Sequence, residues 1–222
     1  MEGKGLLFKI FAGIDVFDIE VDTKNVEEFI QTVKNIAPTF GGINLEDIKA
    51  PESFEIERRL VDELNIPVMH DDQHGTAIIS SAALLNALEL AGKKAEDMKM
   101  VVSGAGSAAL ACADLYILLG VKLENIVMFN SKGLLTKDNP SLSPLQQKYA
   151  KDIPQMTLAE ALVGADIFLG LSSGDIMSPE MLLTMADNPI VFAMANPIPE
   201  IDYNLAVATR KDVIMATGRS DF

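Results

Sequence analysis

Met100-Val101-Val102-Ser103-Gly104-Ala105-Gly106-Ser107-Ala108-Ala109 reads as a strand, a glycine turn and the start of a helix. It fits the pattern Gly-x-Gly-x-x-Ala. Gly104 permits a tight turn, Gly106 lets a pyrophosphate approach the backbone, and small Ala109 lets the helix lie close to the sheet. The helix N-terminus then offers free N–H groups to a phosphate. Such a pattern is weak evidence by itself. Its place at a strand-to-helix junction strengthens it. The plain alternative is a glycine turn in an α/β sheet that binds nothing.

Downstream, the chain alternates strand and helix. After the strand over 98–103 come a helix over 107–119 and a strand over 125–130. A short helix over 157–162, a strand over 167–171 and a helix over 179–185 follow. Further strands are expected over 190–195 and 213–216. Short, fully apolar strands with intervening helices predict an α/β fold with a doubly wound, parallel, Rossmann-like sheet. The second strand of such a sheet usually ends in an acid that binds the 2′-hydroxyl of NAD. Here it ends in Asn130-Ser131-Lys132-Gly133. No carboxylate would repel a 2′-phosphate, and Lys132 could attract one, so NADP is favoured over NAD. The bland reading of Lys132 is a solvated turn lysine.

Upstream the pattern differs. Leu6-Leu7-Phe8 suggests a short helix or strand, and Val16–Val21 alternates apolar and polar residues like a strand. Residues 25–37 carry Val26, Phe29, Ile30, Val33 and Ile36 at helical spacing. A short strand is expected at Gly41–Leu45, a helix over 53–64, and another short strand at Pro67–His70. A long apolar helix over 75–92 closes at Gly92. A domain boundary near residue 75 gives units of 1–75 and 76–222. The apolar stretch 76–91 suits either core or an interface.

Two acidic pairs follow the short strands: Glu46-Asp47 and Asp71-Asp72. If the strands are neighbours, these carboxylates converge. Together they would repel one another unless a cation joined them. Oxygen-only ligands suit Mg²⁺ or Mn²⁺. Adjacent residues on a regular strand point to opposite faces, so Glu46 and Asp47 share an ion only if the strand ends there in a turn. The alternative is two helix-capping pairs. His70 and His74 flank the second pair, but no zinc-type spacing supports them.

Composition narrows the class. The 222 residues are 49% hydrophobic and 23% charged, with a formal net charge of −14. That charge and the lack of a basic cluster argue against nucleic acid. No apolar run has the length of a bilayer span, and the first residues lack a signal-peptide layout. A soluble, cytoplasmic protein is expected, with an organellar location left open. The single cysteine, Cys112, excludes an internal disulfide and reads as a small buried hydrophobe.

Phe40-Gly41-Gly42-Ile43-Asn44-Leu45-Glu46-Asp47, then His70-Asp71-Asp72-Gln73-His74-Gly75-Thr76-Ala77, resembles the malic enzyme family in its short microbial form. Met1-Glu2-Gly3-Lys4, Phe11–Asp15, the Gly-Ala-Gly loop and Ala195-Asn196-Pro197 match as well, so the resemblance covers essentially the whole chain. It implies oxidative decarboxylation of L-malate to pyruvate and CO₂ with reduction of NADP or NAD, dependent on Mg²⁺ or Mn²⁺. It makes residues 1–75 part of a malate and metal domain and 76–222 the nucleotide domain.

The resemblance carries roles to particular positions. Glu46, Asp47 and Asp72 become metal ligands, and Asp71 the neighbouring acid that orients them. Lys4 becomes the base for the substrate hydroxyl, with a pKa expected to be lowered by a nearby cation and partial burial. Ala105, Gly106, Ser107 and Ala108 hold the pyrophosphate, and Asn196 stands beside nicotinamide and substrate. Gly104, Thr76, Asn130, Ser131 and Lys132 complete the expected nucleotide contacts. A homo-oligomer, a homodimer in the first instance, is implied too.

The family's general acid is a tyrosine upstream of Met1, and a further asparagine lies beyond Phe222. The chain is therefore expected to lack both end segments. Tyr116 reads as helix core, and Tyr149 and Tyr203 as surface; none matches that acid. Loss of an N-terminal segment should expose apolar surface. Two other readings stay open: a non-catalytic nucleotide-binding or regulatory fragment, and a dehydrogenase that does not decarboxylate.

Overall fold

The computed structural model describes residues 2–219. The chain forms two compact units, Met1–Asp72 and Gln73–Phe222.

In the first unit, helix α1 (Glu2–Ala12) is followed by α2 (Val26–Ile36), strand β1 (Ile43–Leu45), helix α3 (Glu52–Glu63) and strand β2 (Val68–His70). The Asn25 side chain caps α2 by accepting from the N–H groups of Glu27 and Glu28, which would otherwise lack partners. The apolar stripes of α2 and α3 then bury Ile30, Val33, Ile56 and Leu60 against Leu45. β1 and β2 pair in parallel, with Ile43 opposite Val68 and Leu45 opposite His70. Their carboxyl ends therefore stand side by side.

The alternation over Val16–Val21 does not make a strand. Residues 13–25 carry no helix or strand, and Leu6-Leu7-Phe8 lies inside α1. A period of two specifies a strand only where a neighbouring ladder accepts its N–H and C=O groups, and none is paired with these residues.

Helix α4 (Asp71–Ala91) begins four residues before its expected start, so Asp71 and Asp72 lie in its first turn. Gly92 ends it with φ +67°, a left-handed conformation that suits glycine after a helix. Ala77, Leu84, Ala87 and Leu88 are buried, whereas Ile78, Ile79, Leu85 and Leu90 are exposed.

The second unit continues with β3 (Met100–Ser103), α5 (Ser107–Leu118), β4 (Ile126–Asn130), β5 (Gly133–Leu134), α6 (Pro144–Gln147) and α7 (Leu158–Leu162). β6 (Ile167–Gly170), α8 (Pro179–Thr184), β7 (Ile190–Ala193), α9 (Tyr203–Thr209) and β8 (Ile214–Thr217) complete it. The six strands lie in the order β5-β4-β3-β6-β7-β8. All neighbours are parallel except the β4–β5 hairpin. Strands β3, β6 and β7 are buried along their whole length, as a sheet covered on both faces requires. The chain runs outward from β3 to β4, then returns to build β6, β7 and β8 on the other side. The order thus reverses between β3 and β6, the place where open α/β sheets bind ligands at their carboxyl edge. The expected doubly wound α/β fold is the observed one.

Three elements were not anticipated. The hairpin strand β5 spans two residues. α6 is a four-residue turn closed by a Ser143–Gln146 capping box, and α9 is capped by Asp202. Each is too short to show periodicity. Tyr149, expected at the surface, is 1% exposed. Its hydroxyl donates to Asp114, which explains how a phenol is buried without an orphaned O–H. Tyr116 is core as expected, and so is Cys112, whose thiol burial pushes up to about 11.

Candidate functional site

The parallel pairing of β1 and β2 sends both acidic pairs to one edge of the first unit. Asp47 adopts φ +56°, a left-handed conformation uncommon outside glycine, although Asp and Asn tolerate it best. This turn resolves the difficulty that two adjacent strand residues face apart. The Asp47 N–H donates to Asp72 Oδ2 at 2.9 Å, tying the turn to the start of α4. Glu46, Asp47 and Asp72 are brought together, each offering a carboxylate oxygen within 4.8 Å of the others.

α1 places Lys4 against this group. Its Nζ donates to both oxygens of Glu46 and to Asp71 Oδ2, all at 2.5 Å. Asn44 Nδ2 donates to Glu46 Oε2 at 3.0 Å. Asp71 thus bonds Lys4. The lowered Lys4 pKa expected above belongs to a site with a cation bound; the protein's own groups act the other way. Burial alone would lower it, but the hydrogen bonds to Asp71 and Glu46, and their charges, prevail and raise it. Lys4 is the cation that offsets two of the acids. Asp47 and Asp72 receive nothing from it.

His70 ends β2 and is 1% exposed. Its N–H donates to Glu57 Oε1 at 2.7 Å, while neither ring nitrogen has a hydrogen-bond partner among the described residues. Nε2 stands 3.7 Å from Asp72 Oδ2, beyond hydrogen-bonding range. The place of His70 beside the second acidic pair was legible in the sequence, its burial was not.

The second unit carries the phosphate loop. Gly104 has φ +119°, and a Cβ there would lie 2.4 Å from the Leu171 carbonyl oxygen, so only glycine fits. A Cβ on Gly106 would meet nothing within 4 Å, which leaves that side of the loop open. Gly106 caps the 12-residue helix α5 with no side-chain hydrogen bond. Its first N–H groups, on Ser107 and Ala108, are thereby available to an anion. Ala109 is buried where α5 meets the sheet. Gln146 braces the loop by donating to the Ala105 carbonyl at 2.9 Å.

At the end of β4, Asn130 Oδ1 accepts from the Lys132 N–H at 2.8 Å, forming the turn into β5. Ser131 and Lys132 are exposed. Asn196 follows β7, is exposed, and forms a cis peptide bond with Pro197. Thr76 is half-buried in the second turn of α4. No side-chain hydrogen bond joins Thr76, Lys132 or Asn196 to the phosphate loop among the described residues.

Another residue was overlooked in the sequence. Glu200 is fully buried below the carboxyl ends of β6 and β7. Burial pushes its carboxyl up, against the pull of N–H groups from Ala195 and Ser172. The one available signal was an acid inside the otherwise uncharged run Phe192–Ile201.

Comparison with known proteins shows the family to which the chain is similar. The family described as "Malic enzyme, NAD binding domain" matches residues 73–220, and "Malic enzyme, N-terminal domain" matches residues 23–61. The NADP-dependent malic enzyme of Halomonas elongata is 55% identical over all of this chain, which covers 53% of that protein. The NAD-dependent malic enzyme of Rhizobium meliloti is 53% identical over all of this chain, which covers 29% of it. Among solved structures, the NAD-dependent malic enzyme of Thermotoga maritima aligns with TM-score 0.91 at 47% identity, over 100% of this chain and 59% of its own. The Entamoeba histolytica malic enzyme aligns with TM-score 0.93 at 39% identity, over 100% of this chain and 49% of its own. The chain thus spans about half the length of one curated relative and under a third of the other, and it belongs to the malic enzyme family.

Proposed function

We propose that this chain serves the oxidative decarboxylation of L-malate to pyruvate and CO₂, with reduction of NADP or NAD, in a protein that requires Mg²⁺ or Mn²⁺. The observation that carries the reading is the convergence of Glu46, Asp47 and Asp72, with Lys4 bonded between Glu46 and Asp71. Three carboxylates around one point, two of them not bonded by Lys4, fit a hard divalent ion. Glu46, Asp47 and Asp72 would hold it, and when bound it supplies Lewis-acid polarisation of a substrate oxygen.

The chain's own residues do the remaining work. Lys4 would accept the proton of the C2 hydroxyl, and a bound nicotinamide would supply the hydride acceptor for C2. Because the carboxylates hold Lys4 charged, its own proton must leave before it can act as a base. Asp71 orients it by hydrogen bond. The C3–C4 bond then breaks, CO₂ departs, and its electron pair stays on the pyruvate enolate, which is protonated at C3. In the second unit, the turn Ala105–Ala108 receives the pyrophosphate on the N-terminus of α5. The absence of a carboxylate at the end of β4, with Lys132 exposed beside it, supports NADP as the preferred nucleotide. The relatives' names include both nucleotides and do not choose between them.

The test is product stoichiometry in the full-length protein supplied with L-malate and either nucleotide. One pyruvate per reduced nucleotide, with NADP used more efficiently, is expected. Oxaloacetate as the final product would refute decarboxylation, and a preference for NAD would refute the role given to Lys132.

A further inference from the structure

The loops after β6 and β7 are tied to one buried side chain. Glu200 Oε1 accepts from the Ser172 N–H at 3.1 Å, and Oε2 accepts from the Ala195 N–H at 3.0 Å. The Glu200 main chain adds to this: its carbonyl accepts from the Met177 N–H at 2.9 Å, and the Pro199 carbonyl accepts from the Asp175 N–H at 3.0 Å. Ser172 Oγ in turn meets Ser103 Oγ at 2.8 Å, which links the loop after β6 to the end of β3. The fold makes room for the carboxylate. A Cβ on Gly170 would lie 2.4 Å from Glu200 Cδ, so a larger residue on β6 would displace it.

Burying a carboxylate is costly unless hydrogen bonds compensate. A leucine would fill such a space without that cost, so the polar group has to be justified by what it holds. It holds Ala195, the residue before Asn196, and Ser172, two residues beyond β6. Both loops lie on the β6–β7 side of the point where strand order reverses. In this sheet type the adenosine half of a dinucleotide lies toward the strand after the phosphate loop, here β4. The nicotinamide half lies on the opposite side.

We infer that Glu200 is a positioning residue for the nicotinamide half of the nucleotide site, holding the loops after β6 and β7 in their binding arrangement. The inference rests on the nucleotide reading above. When fewer molecules carry the competent loop arrangement, apparent affinity falls in proportion. Only ligands that reach these loops feel the change.

The experiment uses the whole chain and compares NADPH and NADH with ADP and its 2′-phosphorylated form, which stop at the pyrophosphate. Glu200→Gln replaces one accepting oxygen by an NH₂ group that faces a backbone donor. The dinucleotides are expected to bind about tenfold more weakly, and the adenine-half ligands within about twofold of the unaltered protein. Gly170→Ala, which presses on the carboxylate from the strand side, is expected to give the same split. Equal weakening of both ligand classes would show a merely structural residue and overturn the inference. Unchanged dinucleotide binding would overturn it as well. If the unaltered chain binds no dinucleotide, the nucleotide reading itself fails and the inference falls with it. If neither variant folds, hydrogen exchange in the unaltered chain decides. The Ser172 and Ala195 amides must then be protected before nucleotide is added, and fast exchange there contradicts a preset arrangement.

Discussion

Lys4 and Glu46 show how much of a site depends on single side chains. Lys4 bonds two of the acids and not the other two. Lys4→Ala is expected to lower malate turnover by about 10²–10⁴, the usual range for a general base. Affinity for Mn²⁺ should hold or tighten, because a competing cation has gone; titration followed by electron paramagnetic resonance would check it. A variant that loses Mn²⁺ binding and turnover together would assign Lys4 to building the site only. Glu46→Gln is expected to do the reverse. It should lose Mn²⁺ and at least about 100-fold in turnover, while nucleotide binding in the other unit persists. The acidic residues were legible as two pairs behind two short strands. The turn at Asp47 was not, since a φ of +56° on an aspartate follows from tertiary contacts rather than from neighbouring residues. Likewise the charge state of Lys4 depends on partners 42 and 67 positions away.

At the scale of elements, the strand–loop–helix unit over Met100–Leu118 decides the nucleotide site. Gly104→Ala must accommodate a Cβ against the Leu171 carbonyl and a φ of +119°. Strain of about 1–3 kcal/mol is expected, read as a lower Tm, with weaker dinucleotide binding. An unaltered Tm would mean that the loop relaxes freely. Arg210 and Asp212 link α9 to β8, and Arg210 also donates to the Leu182 and Met185 carbonyls near the end of α8. Hydrogen bonding to Arg210 lowers the Asp212 carboxyl to about 2. A depressed acid stabilises the fold above its unfolded pKa and loses that effect as pH falls toward the folded value. Asp212→Asn should therefore cost about 0.2–1 kcal/mol near pH 7, as for a solvent-screened pair. Denaturation series should show the difference shrinking between pH 4 and pH 2; a difference constant over that window would refute the assignment. Long elements of strong period were readable here because burial on one side imposes the pattern. Val16–Val21 misled, as alternation without a partner strand forms nothing. α6 and α9 were missed because capping residues, not periodicity, define helices of four and seven residues.

At the scale of the whole molecule, the first unit displays a set of largely exposed apolar side chains. Leu6, Leu7, Ile10, Ile14, Phe17 and Phe11 are exposed, the last at 82%. Surfaces of this kind mark association sites. The chain by itself should self-associate with rising concentration in sedimentation, and Phe11→Ser should weaken that without lowering Tm. A monomer at every concentration would count against it. That surface does not enter the chemical claim, which is that Glu46, Asp47 and Asp72 form the divalent-ion site of a malate oxidative decarboxylase. The most direct measurement is the initial rate of NADP or NAD reduction by the full-length protein with L-malate, as EDTA removes divalent ions and Mn²⁺ restores them. The rate is predicted to vanish and return, and in Glu46→Gln not to return at the same Mn²⁺ concentration. Turnover that persists without a divalent ion would contradict the account.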